Sequence, residues 1–277
     1  MGLSEIELQH QTGFISSEDG TRLFWQGLQP AGGHLAAVAL VHGYDSASDY
    51  LLPMMECLAG RGLACYAIDA RGHGRSEGVP RHVFHFNEYL GDARALCRHV
   101  AESAGERQAF LFGYSLGGLI VALLGLGRAE QFHGAVLSAP FFGPAFRVPR
   151  VLDLCAQAAS AVCPTLCLPR RHPDQPAQMT LRWWTETLAA QRFLRRQAEL
   201  FTLPVLMLHG GRDSAACPRA ARSLFRRLGS RDKTLRILPE ARHHDLDPCQ
   251  GPAWWGEVRD WIASRAQDHV FALADRW

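Results

Sequence analysis

Short apolar runs that alternate with helical patterns are the feature that most limits how this 277-residue chain can fold. Buried strands are predicted at 35–42, 63–69, 109–114, 135–138, 204–208 and 235–238. Apolar residues at helical spacing predict helices at 51–58, 88–101, 116–126, 215–228 and 253–263. Two further short strands are predicted within 13–28, around a turn at Glu18-Asp19-Gly20. Strands that alternate with helices indicate βαβ units, so we expect an α/β fold with a mostly parallel sheet covered by helices on both faces.

Residues 141–202 interrupt this alternation. They begin with Phe141-Phe142-Gly143-Pro144, contain Pro164 and Pro169, and return to a helical pattern at 181–194. A helical segment punctuated by prolines, between two stretches of βα alternation, is typical of an insertion that covers a sheet domain. We therefore predict one core domain, formed by residues 1–140 and 203–277, and a helical cap, or lid, formed by residues 141–202.

The composition excludes several classes of protein. The chain carries 29 basic and 27 acidic residues, a balance too even for a nucleic-acid binder. Its hydrophobic fraction of 47% excludes a disordered chain. No apolar run reaches the roughly 18 residues that a membrane span needs. The first ten residues lack the features of a secretory signal, and the eight cysteines form no disulfide framework, so we expect a cytoplasmic protein with reduced thiols.

A candidate nucleophile lies where the strand predicted at 109–114 meets the helix predicted at 116–126. The residues at this junction read Gly113-Tyr114-Ser115-Leu116-Gly117-Gly118. A G-x-S-x-G pattern alone occurs by chance roughly 0.1 times in a chain of this length, so its position between strand and helix gives it weight. Glycines permit a sharp turn that exposes the Ser115 hydroxyl, and the Leu116 amide at the helix start is placed to stabilise an oxyanion. The alternative is a glycine-rich turn without chemistry.

A serine hydroxyl needs a base, and the base needs an acid to orient it. In α/β-hydrolases, which the G-x-S-x-G turn between strand and helix resembles, the order along the chain is serine, acid, histidine. Asp213 follows the strand predicted at 204–208, and His243 and His244 follow the strand predicted at 235–238. We favour His244 as the base, because it begins a His-acid-Leu pattern that leads into the last helix, with His243 as the alternative.

The loop after the first central strand reads His42-Gly43-Tyr44-Asp45. Gly43 permits a close approach of the backbone, and the Tyr44 amide is the expected second oxyanion donor. His42 precedes the nucleophile in the chain, so we expect it to orient this loop through hydrogen bonds rather than to act as the base.

Several segments together resemble the monoglyceride lipase and lysophospholipase family of α/β-hydrolases. The matching segments are His42-Gly43, residues 69–78, residues 113–118, Gly211-Arg212-Asp213 and His244-Asp245-Leu246. The resemblance implies an α/β-hydrolase fold with an eight-stranded sheet and a helical cap, and hydrolysis of monoacylglycerol or lysophospholipid-like esters without metal or cofactor. It implies Ser115 as nucleophile, Asp213 as acid, His244 as base, and the amides of Tyr44 and Leu116 as oxyanion donors. This chain departs from the family at the bulky Tyr44 and at residues 45–48, where monoglyceride lipases often carry another histidine.

The predicted cap is basic and aromatic. Residues 141–200 contain eight arginines and four acids, and also Trp183 and Trp184, which we consider as candidate substrate-binding residues. Such a cap suits a lipid-like ester substrate with an anionic head, or peripheral contact with a membrane surface. The simpler interpretation is a helix packed on the sheet with solvated arginines outside. A zinc site of Cys155, Cys163, Cys167 and His172 is disfavoured, because no second pair of ligands accompanies it.

Two other functions stay open. The same three residues could serve an aminopeptidase, a thioesterase or an acyltransferase, although an aminopeptidase would need acids in the cap to bind the α-amine of its substrate. A binding protein that has kept the fold without catalysis is the second alternative. The sequence leaves the oligomeric state undefined.

Overall fold

The structure is a computed structural model that describes residues 7–104, 109–127, 131–167, 179–249 and 252–274. Its strands are β1 (Leu8–Ser16), β2 (Arg22–Pro30), β3 (Ala36–Val41), β4 (Leu63–Ile68), β5 (Ala109–Tyr114), β6 (Gly134–Ser138), β7 (Val205–Gly210) and β8 (Lys233–Leu238). They form one eight-stranded sheet in the order β1-β2-β4-β3-β5-β6-β7-β8. The pairs β1–β2 and β2–β4 are antiparallel and the remaining pairs are parallel. The predicted α/β fold with a mostly parallel sheet is confirmed.

The described helices are α1 (Leu52–Ala59), α2 (Asn87–Ala104), α3 (Leu116–Leu124), α4 (Arg150–Val162), α5 (Leu181–Gln197), α6 (Pro218–Arg227) and α7 (Pro252–Ala274). They cover both faces of the sheet, as the central strand β3 illustrates. Ala37, Ala39 and Val41 of β3 pack in the core that contains residues of α2 and α3. The intervening residues of β3 pack in the opposite core, with α1 and α7. Successive side chains of a strand point to opposite faces, so a strand buried on both faces is apolar throughout.

The strand order places a crevice beside the end of β3. From β3 the chain first crosses to β4 on one side and then returns to β5 on the other side. Ligands of open α/β sheets bind at such a switch point, outside the carboxyl ends of the strands. The segments that follow β3, β5, β7 and β8 therefore meet at one edge of the sheet.

The segment after β4 is fixed by a buried guanidinium group. Arg71 donates to the carboxylate of Asp92 on α2 and to that of Asp19 in the β1–β2 turn, with N–O distances of 2.6 Å for both. Asp92 is 1% exposed, so its charge is held away from water and depends on this partner. Arg71 therefore connects three segments: the loop after β4, the helix α2 and the β1–β2 turn.

The segment predicted as a cap contains α4 and α5, which lie between β6 and β7. The two helices differ in burial. α5 buries Trp183, Leu188 and Leu194, whereas α4 buries Ser160 alone among its residues. The division into a core domain and a cap stays a prediction, and His172 lies outside the described residues. In the ranges that the structure describes, no helix is long and apolar enough to cross a membrane.

Candidate active site

Ser115 lies at a strained turn between β5 and α3. Its backbone has φ of 52° and ψ of −112°, a left-handed conformation that non-glycine residues rarely adopt. A Cβ atom at Gly113 would overlap the carbonyl oxygen of Gly117, and one at Gly117 would overlap that of Val41. The tight turn therefore requires glycine at these two positions, and it presents the partly exposed Ser115 at the carboxyl edge of the sheet.

His243 connects Ser115 to Asp213. Its Nε2 atom lies 2.9 Å from the Ser115 hydroxyl oxygen, and its Nδ1 atom lies 2.7 Å from a carboxylate oxygen of Asp213. An ionised carboxylate only accepts hydrogen bonds, so Nδ1 carries the proton and Nε2 is free to accept one from the serine. The other Asp213 oxygen accepts from the N–H groups of Ala215 and Ala216, both at 2.8 Å, which fixes the carboxylate.

The prediction of His244 as the base is wrong by one residue. The structure places the neighbouring His243 between Ser115 and Asp213. The two histidines enter a short 3₁₀ turn over His244–Leu246. Side chains three residues apart lie on the same side of such a turn, and the buried Leu246 anchors it to the core. His243 therefore faces inward with Leu246, while His244 is exposed and touches neither Ser115 nor Asp213.

Two residues that the sequence prediction missed hold the histidine loop against the sheet. The Tyr114 hydroxyl donates to the carbonyl oxygen of His243 at 3.3 Å, and the Tyr114 ring lies beside the His243 ring with centroids 5.4 Å apart. Ser138, at the end of β6, donates to the carbonyl oxygen of Leu246 at 2.8 Å. These contacts join residues more than a hundred positions apart, so no local pattern in the sequence indicates them.

The predicted oxyanion donors belong to two segments that lie side by side. A Cβ atom at Gly43 would lie 3.4 Å from the Ser115 Cβ atom, so the loop after β3 passes directly beside the nucleophile. Within the described ranges, neither the Tyr44 nor the Leu116 N–H group donates to a protein acceptor. Both amides are thus free for a ligand, and their role as oxyanion donors stays a prediction.

His42 orients this loop through hydrogen bonds, as predicted. Its Nε2 atom accepts from the Ala70 N–H group at 3.0 Å, and its Nδ1–H group donates to the Gly43 carbonyl oxygen at 2.6 Å. Burial lowers the pKa of His42, so the imidazole stays neutral and can accept at Nε2.

The two tryptophans of α5 have different surroundings. Trp183 is 2% exposed and packs on the Tyr44 ring, with centroids 4.1 Å apart. Trp184 is half-buried and stacks on Phe146 with centroids 5.9 Å apart. Trp183 therefore supports the ring of Tyr44, and contact of either tryptophan with substrate stays a prediction.

These features define an α/β-hydrolase. The sheet has the strand order given above, the serine turn follows β5, the acid loop follows β7 and the histidine loop follows β8. The sequence profile of the family described as serine aminopeptidase, S33, matches residues 32–178 and 170–246. The chain belongs to this family.

Relatives within the class include proteins named as ester hydrolases. The chain is 26% identical to a caffeoylshikimate esterase of Arabidopsis thaliana, with 90% of this chain and 84% of the relative covered. It is 26% identical to the monoglyceride lipase of Homo sapiens, with 91% and 90% covered. Among solved structures, the monoacylglycerol lipase of Paleococcus ferrophilus is 25% identical, with a TM-score of 0.71 and coverage of 95% of this chain and 100% of that chain. The predicted class, an α/β-hydrolase of the monoacylglycerol lipase type that hydrolyses carboxylic esters, is confirmed.

Proposed function

We propose that this protein hydrolyses the ester bond of monoacylglycerol or lysophospholipid-like molecules through an acyl-enzyme, with Ser115, His243 and Asp213 as its catalytic residues. The observation that carries the proposal is the pair of hydrogen bonds that joins Ser115 to His243 and His243 to Asp213. This order of contacts is the arrangement that serine hydrolases use to activate a hydroxyl group.

In the first half of the proposed reaction, the Ser115 oxygen bonds to the ester carbonyl carbon while its proton passes to Nε2 of His243. Asp213 holds the ring in the required tautomer and stabilises the imidazolium that forms. The free N–H groups of Tyr44 and Leu116 donate hydrogen bonds to the carbonyl oxygen and stabilise the negative charge that develops on it. These donors are fixed before the reaction begins, so they need no reorganisation as the charge develops.

The tetrahedral intermediate formed in this way then collapses, and the bond between its central carbon and the alcohol oxygen breaks. His243 gives the proton to the departing alcohol, which leaves the acyl group on Ser115. A water molecule then loses a proton to His243 and attacks the acyl carbon. The carboxylic acid leaves as the proton returns to the Ser115 oxygen.

The charges around α5 disfavour the aminopeptidase alternative. An aminopeptidase needs an unpaired acid to bind the α-amine of its substrate. In the described parts of α4 and α5, Asp153 pairs with Arg192 and Glu186 lies 3.8 Å from Arg182. Glu186 also accepts from the Phe86 N–H group at 3.0 Å. These two acids are therefore already engaged.

A panel of substrates tests the proposed chemistry. We expect kcat/KM for medium-chain monoacylglycerols to exceed that for an aminoacyl p-nitroanilide by at least about 100-fold, because each engaged acid would have to be freed to hold an amine. A methyl hydroxycinnamate belongs in the panel, because the Arabidopsis relative is a caffeoylshikimate esterase. Turnover confined to the aminoacyl anilide would contradict the proposal.

We also propose that α4 makes peripheral contact with an anionic lipid surface. Val151, Leu152, Leu154 and Val162 are between 61% and 81% exposed on this helix. Its acid, Asp153, is paired with Arg192, and the exposed Arg147 and Arg150 precede or begin the helix. Exposed apolar side chains beside cations that pair with no acid among the described residues suit a surface that offers acyl chains under a negative charge.

Vesicle binding tests this contact. We expect replacement of Leu152 and Leu154 by serine to weaken binding to vesicles of phosphatidylglycerol and phosphatidylcholine by about tenfold, because about 1.5–3 kcal/mol is available for each leucine fully buried in the lipid. Hydrolysis of a water-soluble ester should be unchanged. Phe14→Ser is the matched control, because Phe14 is 44% exposed on β1, outside the α4 segment. Equal binding by the double variant and the wild type would contradict the proposal.

A cytoplasmic location is the remaining part of the proposal. All eight cysteines are free thiols, and four of them, Cys155, Cys163, Cys167 and Cys249, are exposed. Exposed thiols persist in reducing compartments. Fractionation of cells that produce the full chain, followed by detection of its activity, tests this location, and recovery of the activity outside the cytoplasm would contradict it.

A further inference from the structure

The loop that carries the Tyr44 amide is held from one side by a single arginine. Tyr44 donates its hydroxyl hydrogen to the carbonyl oxygen of Arg81 at 3.3 Å. The guanidinium group of Arg81 pairs with the carboxylate of Asp45, the next residue of the loop. In the described part of the chain, these are the hydrogen bonds and ion pairs that the side chains of Tyr44 and Asp45 make.

The two ends of the loop are fixed independently of Arg81. At its start, His42 bonds to the backbone of Gly43 and Ala70. At its end, the Ser48 N–H group donates to the buried carboxylate of Asp69 at 2.6 Å. Residues 44–47 lie between these anchors and outside any strand. The Tyr44 ring also packs on Trp183, and the contacts to Arg81 add the polar restraints on the middle of the loop.

Arg81 can serve as a support because its own backbone is fixed. Its N–H group donates to the Gly72 carbonyl oxygen at 3.0 Å, and the Gly72 N–H group donates to the Glu77 carbonyl oxygen at 2.9 Å. The buried Asp69 accepts from the Arg75 N–H group at 2.8 Å, which attaches this segment to the end of β4. The Arg81 backbone is therefore connected to the end of β4 through Gly72, the loop that follows it and Asp69.

Both partners of the ion pair have a strained backbone. Asp45 has φ of 58° and Arg81 has φ of 54°, values in the left-handed region. Such conformations are unfavourable for residues other than glycine and persist where the surroundings hold them. A rotation of Asp45 toward negative φ would turn the Tyr44–Asp45 peptide and shift Tyr44, whose N–H group lies in the preceding peptide.

We infer that Arg81 is a positioning residue for the oxyanion site: it holds Asp45 and Tyr44 so that the Tyr44 amide points at the developing oxyanion. The inference rests on the proposed function, because it assumes that the Tyr44 amide is an oxyanion donor. Arg81 acts through the loop and touches no reacting atom. Loss of Arg81 should therefore weaken binding of the transition state and leave binding of the substrate unchanged.

Arg81→Met tests this role, since methionine keeps the unbranched apolar part of the side chain and removes the guanidinium group. Loss of a whole oxyanion donor lowers kcat by about 10²–10³-fold, so a displaced donor should lower kcat by about tenfold. We expect KM to stay within about twofold, because ground-state binding does not use this donor. The inhibition constant of a trifluoromethyl ketone analogue of the substrate, which forms the tetrahedral adduct, should rise by the same factor as kcat falls.

Two further variants separate positioning from general damage. Asp45→Asn keeps the shape of its side chain and removes the other charge, so it should cause a loss similar to that of Arg81→Met. The double variant should be no worse than either single variant, because both remove one interaction. Arg94→Met is the matched control, since it breaks the ion pair with Glu18, which lies 2.7 Å away on another part of the surface. Its kcat should equal that of the wild type.

The outcomes are distinguishable from a failure of the proposed function. If the wild type hydrolyses esters and loses that activity in Ser115→Ala, the proposed function stands and the Arg81 result is decisive. Values of kcat and of the ketone inhibition constant within twofold of the wild type in both Arg81→Met and Asp45→Asn would overturn the inference. A loss in Arg81→Met that adds to the loss in Asp45→Asn would overturn it as well. An inactive wild type would instead refute the proposed function.

Discussion

Replacement of Ser115 by alanine is expected to lower kcat for ester hydrolysis by a factor on the order of 10⁶. The change removes the oxygen that would bond to the acyl group, and it leaves His243 without a hydroxyl group to activate. The fold should persist, because alanine retains the backbone of the turn and the Ser115 side chain makes one hydrogen bond with the described residues, to His243. Initial rates on a p-nitrophenyl ester, with a thermal unfolding curve for each protein, measure both effects.

The matched control for this variant is Ser264→Ala. Ser264 lies on α7, and its hydroxyl donates to the carbonyl oxygen of Trp261, within the same helix. Its replacement should leave kcat unchanged. An activity of Ser115→Ala within about 100-fold of the wild type would show that another group performs the attack. Such a residual activity is far above the rate that the oxyanion donors and substrate binding alone would supply.

Replacement of His243 by alanine is expected to be as damaging as the loss of Ser115, while replacement of His244 should change kcat by less than about threefold. The neighbouring residues provide a stringent comparison, because both are histidines in one turn. His243 lies within hydrogen-bond distance of Ser115 and Asp213, whereas His244 is exposed on the other side. Measurement of kcat for both variants on the same ester decides between them.

The double variant Ser115→Ala, His243→Ala provides an internal check. Residues that act as one unit show strongly non-additive losses, so the double variant should be no less active than Ser115→Ala alone. A severe loss in His244→Ala with a mild loss in His243→Ala would contradict the geometry of the histidine turn.

The parts of the fold that follow from short-range patterns could be predicted from the sequence. The strand at 109–114 coincides with β5, because its apolar run ends at the glycine of the turn. The last helix begins within one residue of its predicted start. It continues to Ala274, whereas the predicted helix ends at residue 263. The serine turn was predictable because its steric requirements concern glycines two residues on either side of Ser115.

The site was less predictable where it depends on how separate segments meet. The choice between His243 and His244 depends on which side of a single turn faces the core, and the buried Leu246, three residues after His243, is the signal that would have identified it. The contact of Tyr44 with Arg81 joins residues 37 positions apart in two irregular loops. Neither loop has a periodicity that would place these side chains together, so the structure was needed to find this contact.

Covalent labelling tests the central claim most directly. A fluorophosphonate reacts with an activated serine and forms a stable phosphonyl ester, which peptide mass spectrometry locates. We predict one phosphonyl group per chain, on Ser115, with a labelling rate that falls sharply in His243→Ala and is unchanged in His244→Ala. Phosphonylation at another residue, or no labelling of the folded wild-type protein, would contradict the account.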